Sequence, residues 1–385
     1  MKNMLLIAAL CAAAGPAGAE RNIFTFTPYG AEKAVYTSNL NFTPDNEVSA
    51  WSNRLKAGFD AALRPENLRL DAGYSIEQLV FSRDQYIQNA VYHTANLGLD
   101  ASLPKNIRLT ALDSYRASND AENPEMTYYT AKRDENKFSA GIEFPVCGAF
   151  FARAGGNAAS HRYFEVAYDS YTRTETGLGG ALGMEFAGYS VLGAWRHSEL
   201  KYDSPNPYGG GFTNNGSWNN FTLGVEGKLG ELSGRIHAGE QARDYPTPLN
   251  GADNSPRTFI ADASAQWAPD GASLVEISAS RFNTESLYFD SRYFTTTRAA
   301  ASLRADSAPM SYSASFSFDD IKYPEPTPST AARRSDQIAR LAVSAQRGIG
   351  PAALTAEFAH TEKTSNETQW GYGENTFSLE LKAKF

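Results

Sequence analysis

Residues 310–319 read Met-Ser-Tyr-Ser-Ala-Ser-Phe-Ser-Phe-Asp, apolar and polar in strict turn. The end of the chain keeps the same rhythm: Phe377, Leu379, Leu381, Ala383 and Phe385 alternate with Ser378, Glu380, Lys382 and Lys384. A period of two puts one set on each face of an extended strand. The runs are about ten residues long, the length of a tilted membrane crossing, whereas globular strands average about five or six. The pattern predicts strands at 22–35, 50–63, 68–79, 90–103, 107–117 and 136–144. It continues at 149–159, 172–186, 189–201, 218–229, 232–243 and 257–268, then at 272–282, 291–305, 310–319, 336–346, 352–363 and 374–385. The expected fold is all-β: an antiparallel transmembrane barrel of about eighteen strands without a plug domain.

Connection lengths support this reading. Pro104-Lys105-Asn106, Ala187-Gly188, Gly230-Glu231 and Asp306-Ser307-Ala308-Pro309 are short, while 36–49, 118–135, 202–217, 244–256 and 320–335 are long and polar. Short periplasmic turns alternating with long outer loops are the rule in such barrels, and an even strand count leaves both termini periplasmic. A channel of this size is aqueous unless something fills it; 118–135 and 202–217 are the candidates for an inward-folded loop, although solvated surface loops are the commoner reading of both.

Sorting residues by face gives the candidate site. Leu55, Ala57, Phe59, Ala61 and Leu63 fall on one side, with Arg54, Lys56 and Asp60 on the other. Leu68, Leu70, Ala72, Tyr74 and Ile76 likewise oppose Arg69, Asp71, Ser75 and Glu77. A lipid face of apolar residues around a wet, charged interior follows. The pore-lining set is Arg54, Lys56, Arg69, Arg108, Arg153, Arg196, Arg235, Arg298 and Arg340, with Asp60, Asp71, Glu226, Asp262 and Glu357. Over all inward positions the basic residues outnumber the acidic ones modestly. Opposite charges either cancel across strands, or low-dielectric walls focus the excess and favour anions. Trp51, Tyr74, Trp195 and Tyr293 toward the loops, and Tyr189, Trp267 and Phe385 toward the turns, read as an aromatic girdle. Asp113 falls on the outward face, which calls for a bulge in that strand or a position above the hydrocarbon.

The start of the chain adds a destination. Lys2, the apolar stretch Met4 to Ala14 and Ala17-Gly18-Ala19 form a leader, so the expected division is a signal peptide at 1–19 and the barrel at 20–385. Cys11 lies inside the apolar run after Leu10, which argues against a lipoprotein anchor. Removing the leader leaves Cys147 alone, so no internal disulfide is expected. The chain carries 43 acidic against 35 basic residues, a net of −8, which argues against a nucleic-acid partner. The expected location is a Gram-negative outer membrane, with lipid and lipopolysaccharide around the wall.

Two stretches carry a family resemblance: "RLKAGFDAALRPENLRLDAGYSIEQLVF" from Arg54, and "YHTANLGLDASLPKNIRLTALDSYRAS" from Tyr92. With the terminal Phe385, which looks like the signal read by the outer-membrane assembly machinery, the chain resembles the beta-barrel porin 2 family. The resemblance implies a plugless channel, and a role in exopolysaccharide export, since members often accompany such systems. It supplies no catalytic residues.

The expected function is a porin-like channel, passing an exopolysaccharide or small anionic solutes, and not an enzyme. Two alternatives remain. A phospholipase-type enzyme would need a nucleophile beside one of His93, His161, His197, His237 or His360, and no Gly-x-Ser-x-Gly is present. A surface adhesin or receptor barrel would present Tyr128, Tyr129, Tyr163, Phe164, Tyr168 and Tyr171 from its loops. No metal or cofactor motif is found.

Overall fold

The computed structural model describes residues 23–385 except 46, 84–88, 120–130, 206–213, 248–252, 288–290 and 327–331. The expected leader, 1–19, lies outside them. The strands are β1 (Phe24–Thr37), β2 (Ala50–Leu63), β3 (Leu68–Phe81), β4 (Ala90–Leu103), β5 (Ile107–Ser118) and β6 (Arg133–Cys147). They continue with β7 (Phe150–Tyr163), β8 (Arg173–Phe186), β9 (Tyr189–Tyr202), β10 (Gly216–Leu229), β11 (Leu232–Asp244) and β12 (Arg257–Trp267). The last six are β13 (Ser273–Glu285), β14 (Tyr293–Ser307), β15 (Met310–Pro326), β16 (Arg333–Ile349), β17 (Ala352–Ser365) and β18 (Tyr372–Lys384). Each pairs antiparallel with the next, and β18 returns to β1 with Tyr29 opposite Lys384 and Thr37 opposite Thr376. Closure leaves no free edge strand, so apart from a loop-side split between β12 and β13 the backbone groups of the wall find partners within it.

Alternation sets the faces of this wall. Directly paired residues share a face, so Phe26 and Ala61, Phe59 and Tyr74, and Leu70 and Leu99 stand together on the outside. The turn-side hairpins are tight. Ala187 and Gly188 take φ of 50° and 85° between the paired Phe186 and Tyr189. A two-residue turn with both φ positive matches the right-handed twist of its strands, and glycine meets that demand without strain.

Two departures from the expected strands have physical causes. β15 runs to Pro326 rather than stopping at Asp319, because Ile321 and Tyr323 turn inward and pack with Phe294 and Ile338. At β5 no bulge re-aims Asp113. Its register is unbroken, with Leu97 opposite on β4 and Phe138 opposite on β6, and the side chain points outward. The irregularities lie elsewhere, between Pro145 and Cys147 and between Lys322 and Pro326.

Candidate functional site: the lumen and its mouth

The inner face carries the charged residues, and most of them meet an opposite charge on a neighbouring strand. Arg69 and Arg64 both reach Asp71, and Arg108 Nη2 lies 2.5 Å from Asp100. Arg54 approaches Glu77 at 3.6 Å, and Glu357 approaches Lys33 at 3.9 Å. Arg153 spans Glu143 (2.6 Å) and Glu226 (3.2 Å), and Glu226 also faces His237 at 3.1 Å. Arg235 holds Asp262 at 2.8 Å. Arg298 and Arg340 converge on the fully buried Asp319, at 2.6 and 2.8 Å. Lys56 and Asp60 project from the inner face of β2, alongside Arg54. Arg196 differs: its guanidinium donates to the neutral Asn157 amide oxygen at 2.5 Å.

Among the described residues, the loop-side end of the barrel is narrowed from within. Residues 120–130 and 206–213, the middles of the candidate segments 118–135 and 202–217, lie outside the described residues. The infolded element is the end of the β13–β14 hairpin. β12 and β13 pair only from Ala261–Arg281 to Trp267–Val275, while β13 and β14 stay paired out to Glu285 and Tyr293. Beyond Arg281 the hairpin leaves β12 and leans into the lumen. Arg281 Nε donates to the Phe259 carbonyl at the split, at 3.2 Å. Polar Asn283 and Glu285 occupy what would be lipid-facing positions, so this end has no apolar face to keep in the wall.

Buried contacts hold the segment in place. Glu285 meets Arg243 at 2.5 Å, with the two side chains 10 % and 2 % exposed. The Arg243 guanidinium lies between the Trp218 and Tyr293 rings, at 4.9 and 4.8 Å from their centroids. It also donates to Gln241 (2.6 Å) and to Tyr245 (2.8 Å). Asn283 donates to the same Gln241 oxygen at 2.8 Å. Arg292 donates to the Thr247 carbonyl and to Asn254 (3.2 Å) and covers the Tyr245 ring at 4.6 Å. Burial, and then the Glu285 charge, push the Tyr245 phenol above its usual value, while burial draws Arg292 below its own. Leu287 reaches Ala131 and Tyr163, beside Tyr168 and Tyr171, so the segment touches the β6–β7 side as well.

Tyr293 therefore corrects the expected girdle. It is 5 % exposed and stacks on Tyr245 inside the mouth, because the hairpin end turned inward with it. Trp51, Tyr74, Trp195, Tyr189, Trp267 and Phe385 stand exposed on the outer face. Below the infolded segment lies a cavity of about 610 Å³. Glu135, Lys137, Arg173, Glu175 and Arg196 line it from one side, and Gln241, Arg243, Asp262 and Glu285 from the other. Glu285, Arg243 and Tyr245 were not among the expected pore residues. The available signal was the polar pair Asn283 and Glu285 at outward parity.

The alternatives meet different geometry. His197 Nδ1 faces Asn219 Oδ1 at 3.1 Å, and His360 Nδ1 faces Asn375 Oδ1 at 2.9 Å. Their Nε2 atoms face Glu199 and Glu362, at 3.8 and 4.0 Å, rather than a hydroxyl nucleophile. His93 Nδ1 meets the Tyr74 hydroxyl at 2.8 Å. Tyr163, Tyr168 and Tyr171 pack on one another beside Leu287 rather than forming a displayed sugar-stacking surface. Phe164 remains exposed, flanked by Lys132 and Arg162. Tyr128 and Tyr129 lie outside the described residues.

Among solved structures, the chain is similar to the outer-membrane protein OpdK from Pseudomonas aeruginosa: 9% identity, 94% of this chain and 99% of that one, TM-score 0.50. OccAB3 of Acinetobacter baumannii aligns at 10% identity over 94% of this chain and 99% of that one, TM-score 0.46. The FrpB iron transporter of Neisseria meningitidis, F3-3 variant, aligns at 10% identity over 88% of this chain and 62% of its own, TM-score 0.44. The fold is that of a Gram-negative outer-membrane β-barrel. No protein-family model and no curated protein matches the chain, so the likeness to the beta-barrel porin 2 family stays a resemblance.

Proposed function

We propose that this barrel is an outer-membrane channel for small anionic solutes, narrowed at its outer mouth by the infolded end of β13 and β14. Export through the leader at 1–19, insertion by an assembly machinery reading Phe385, and a lipopolysaccharide-rich surrounding are parts of this reading. One observation carries it: beneath the narrowed mouth, the Arg196 guanidinium hydrogen-bonds a neutral amide rather than a carboxylate while facing a solute-sized cavity, with the Glu175 carboxyl acting on it only through space. Paired neighbours such as Arg235–Asp262 contribute little net field. A cation held by a neutral partner between low-dielectric walls raises the local concentration of anions. Passage of an exopolysaccharide, the other role the resemblance implies, would require the buried segment to withdraw.

Reversal potentials across a salt gradient test the reading, preferably at low ionic strength, where screening is weakest. Anion preference is expected, and Arg196→Gln should diminish it. Cation selectivity that Arg196→Gln leaves unchanged would contradict the proposal.

A further inference from the structure

Glu32, like Asp113 on β5, places a carboxyl on the outer wall. Its cross-strand partners are Leu55 of β2 and Leu381 of β18, both exposed on the outer face. Its outward neighbours along β1 are the small Gly30 and Ala34. On the loop side, Tyr36 lies 5.3 Å from Trp51 and 6.5 Å from Phe377. On the turn side, Phe26 and Phe59 lie 5.2 Å apart. A carboxyl between two such aromatic rows stands at the depth of the hydrocarbon. Asn53, also outward and exposed, donates its Nδ2 to Glu32 Oε1 at 3.0 Å.

We propose that the β1–β2 wall around this dyad is the contact between two copies of the chain, related by a twofold axis along the membrane normal. The chemistry is self-complementary. An amide nitrogen carries two N–H donors and a carboxyl two oxygens, and the Glu32–Asn53 bond uses one of each. Rotation about an axis beside the dyad brings each remaining Asn53 N–H to the remaining Glu32 oxygen of the partner. Such an isologous contact closes after two copies. Gly30, Ala34 and Ala57 keep the surroundings flat, and small residues are what let walls approach closely within a membrane. Facing lipid instead, the same groups have no water and, among the described residues, no further partner, which is costly.

Crosslinking in native membranes tests this. In a Cys147→Ser background, Ala34→Cys treated with a short bis-thiol reagent should give a product of twice the monomer mass. Ala263→Cys, on the outer face of β12, should remain monomeric. Adding Glu32→Leu, or separately Asn53→Leu, should lower the crosslinked yield about tenfold. Glu32→Gln, which keeps the hydrogen bonds, should retain it. Heat-modifiable gel migration confirms that each variant is a folded barrel. A monomeric Ala34→Cys protein, an adduct with a protein of different mass, or a yield indifferent to both leucine variants would overturn the proposal.

Discussion

The two ends of the barrel use charge in opposite ways. Toward the turns, Arg108 and Asp100 face water in the lumen, 57 % and 37 % exposed. Such a pair contributes about 0–1 kcal/mol, because water screens it and two side chains lose freedom. Toward the loops, Arg334, Asp336 and Lys363 are fully buried together, with Arg334 lying over the Tyr323 and Trp370 rings. Arg243 and Glu285 form a second such site across the mouth. A buried pair adds little when intact, yet removing one partner costs about 3–5 kcal/mol, since the other charge is then stranded. The turn-side end should therefore tolerate charge substitutions, and the loop-side end should not.

Disrupting the wall itself should have the largest effect and should remove both ends together. Truncation before Glu374 deletes nearly all of β18 and leaves β1 and β17 each with an unpaired edge in lipid. Every unmet backbone group there costs several kcal/mol. The truncated chain should not insert, and its heat-modifiable gel shift should be absent; normal membrane levels of a folded form would be inconsistent with the closure described.

The next effect belongs to the loop-side end alone. Asp336→Asn removes a carboxylate shared by two buried cations and should destabilise the β15–β17 region by about 3–5 kcal/mol. The readout is a lower temperature for loss of the folded gel form. If Asp336→Asn and Arg108→Gln behave alike, the contrast between the ends fails. Arg108→Gln defines the small end of the scale, at about 0–1 kcal/mol. Comparable in size is Gly188→Ala, which should cost about 1 kcal/mol by forcing a side chain onto a φ of 85°.

The same contrast explains what the sequence made legible. Strand periodicity reports which face a residue takes, and the wall is built from that information. β2 and β4 begin and end where the alternation does, and Leu55, Ala57 and Phe59 stand outward as their spacing requires. Periodicity does not report where a sheet splits. Tyr293 reads as a girdle residue by parity, and becomes buried because β13 leaves β12 after Arg281. Arg243 stands at a strand end where a solvated rim charge is the ordinary expectation. Trp218 is its direct partner across the β10–β11 hairpin, but Glu285 and Tyr293 come from β13 and β14, and only the fold brings those two to it. Asp113 shows the limit in another way: its outward face was legible, and the absence of a bulge had to be seen.

The central claim is that the infolded end of β13 and β14 sets the bore of the channel. Single-channel conductance in a planar bilayer tests it most directly, comparing the intact protein with Arg243→Ala, which strands Glu285 beneath the segment. The account predicts a larger conductance with a weakened mouth, and a return toward the original value when Glu285→Gln is added to remove the stranded charge. Equal conductance in the intact and Arg243→Ala proteins, with the variant's hairpin newly open to protease, would show that the segment moves without gating the pore and would contradict the claim.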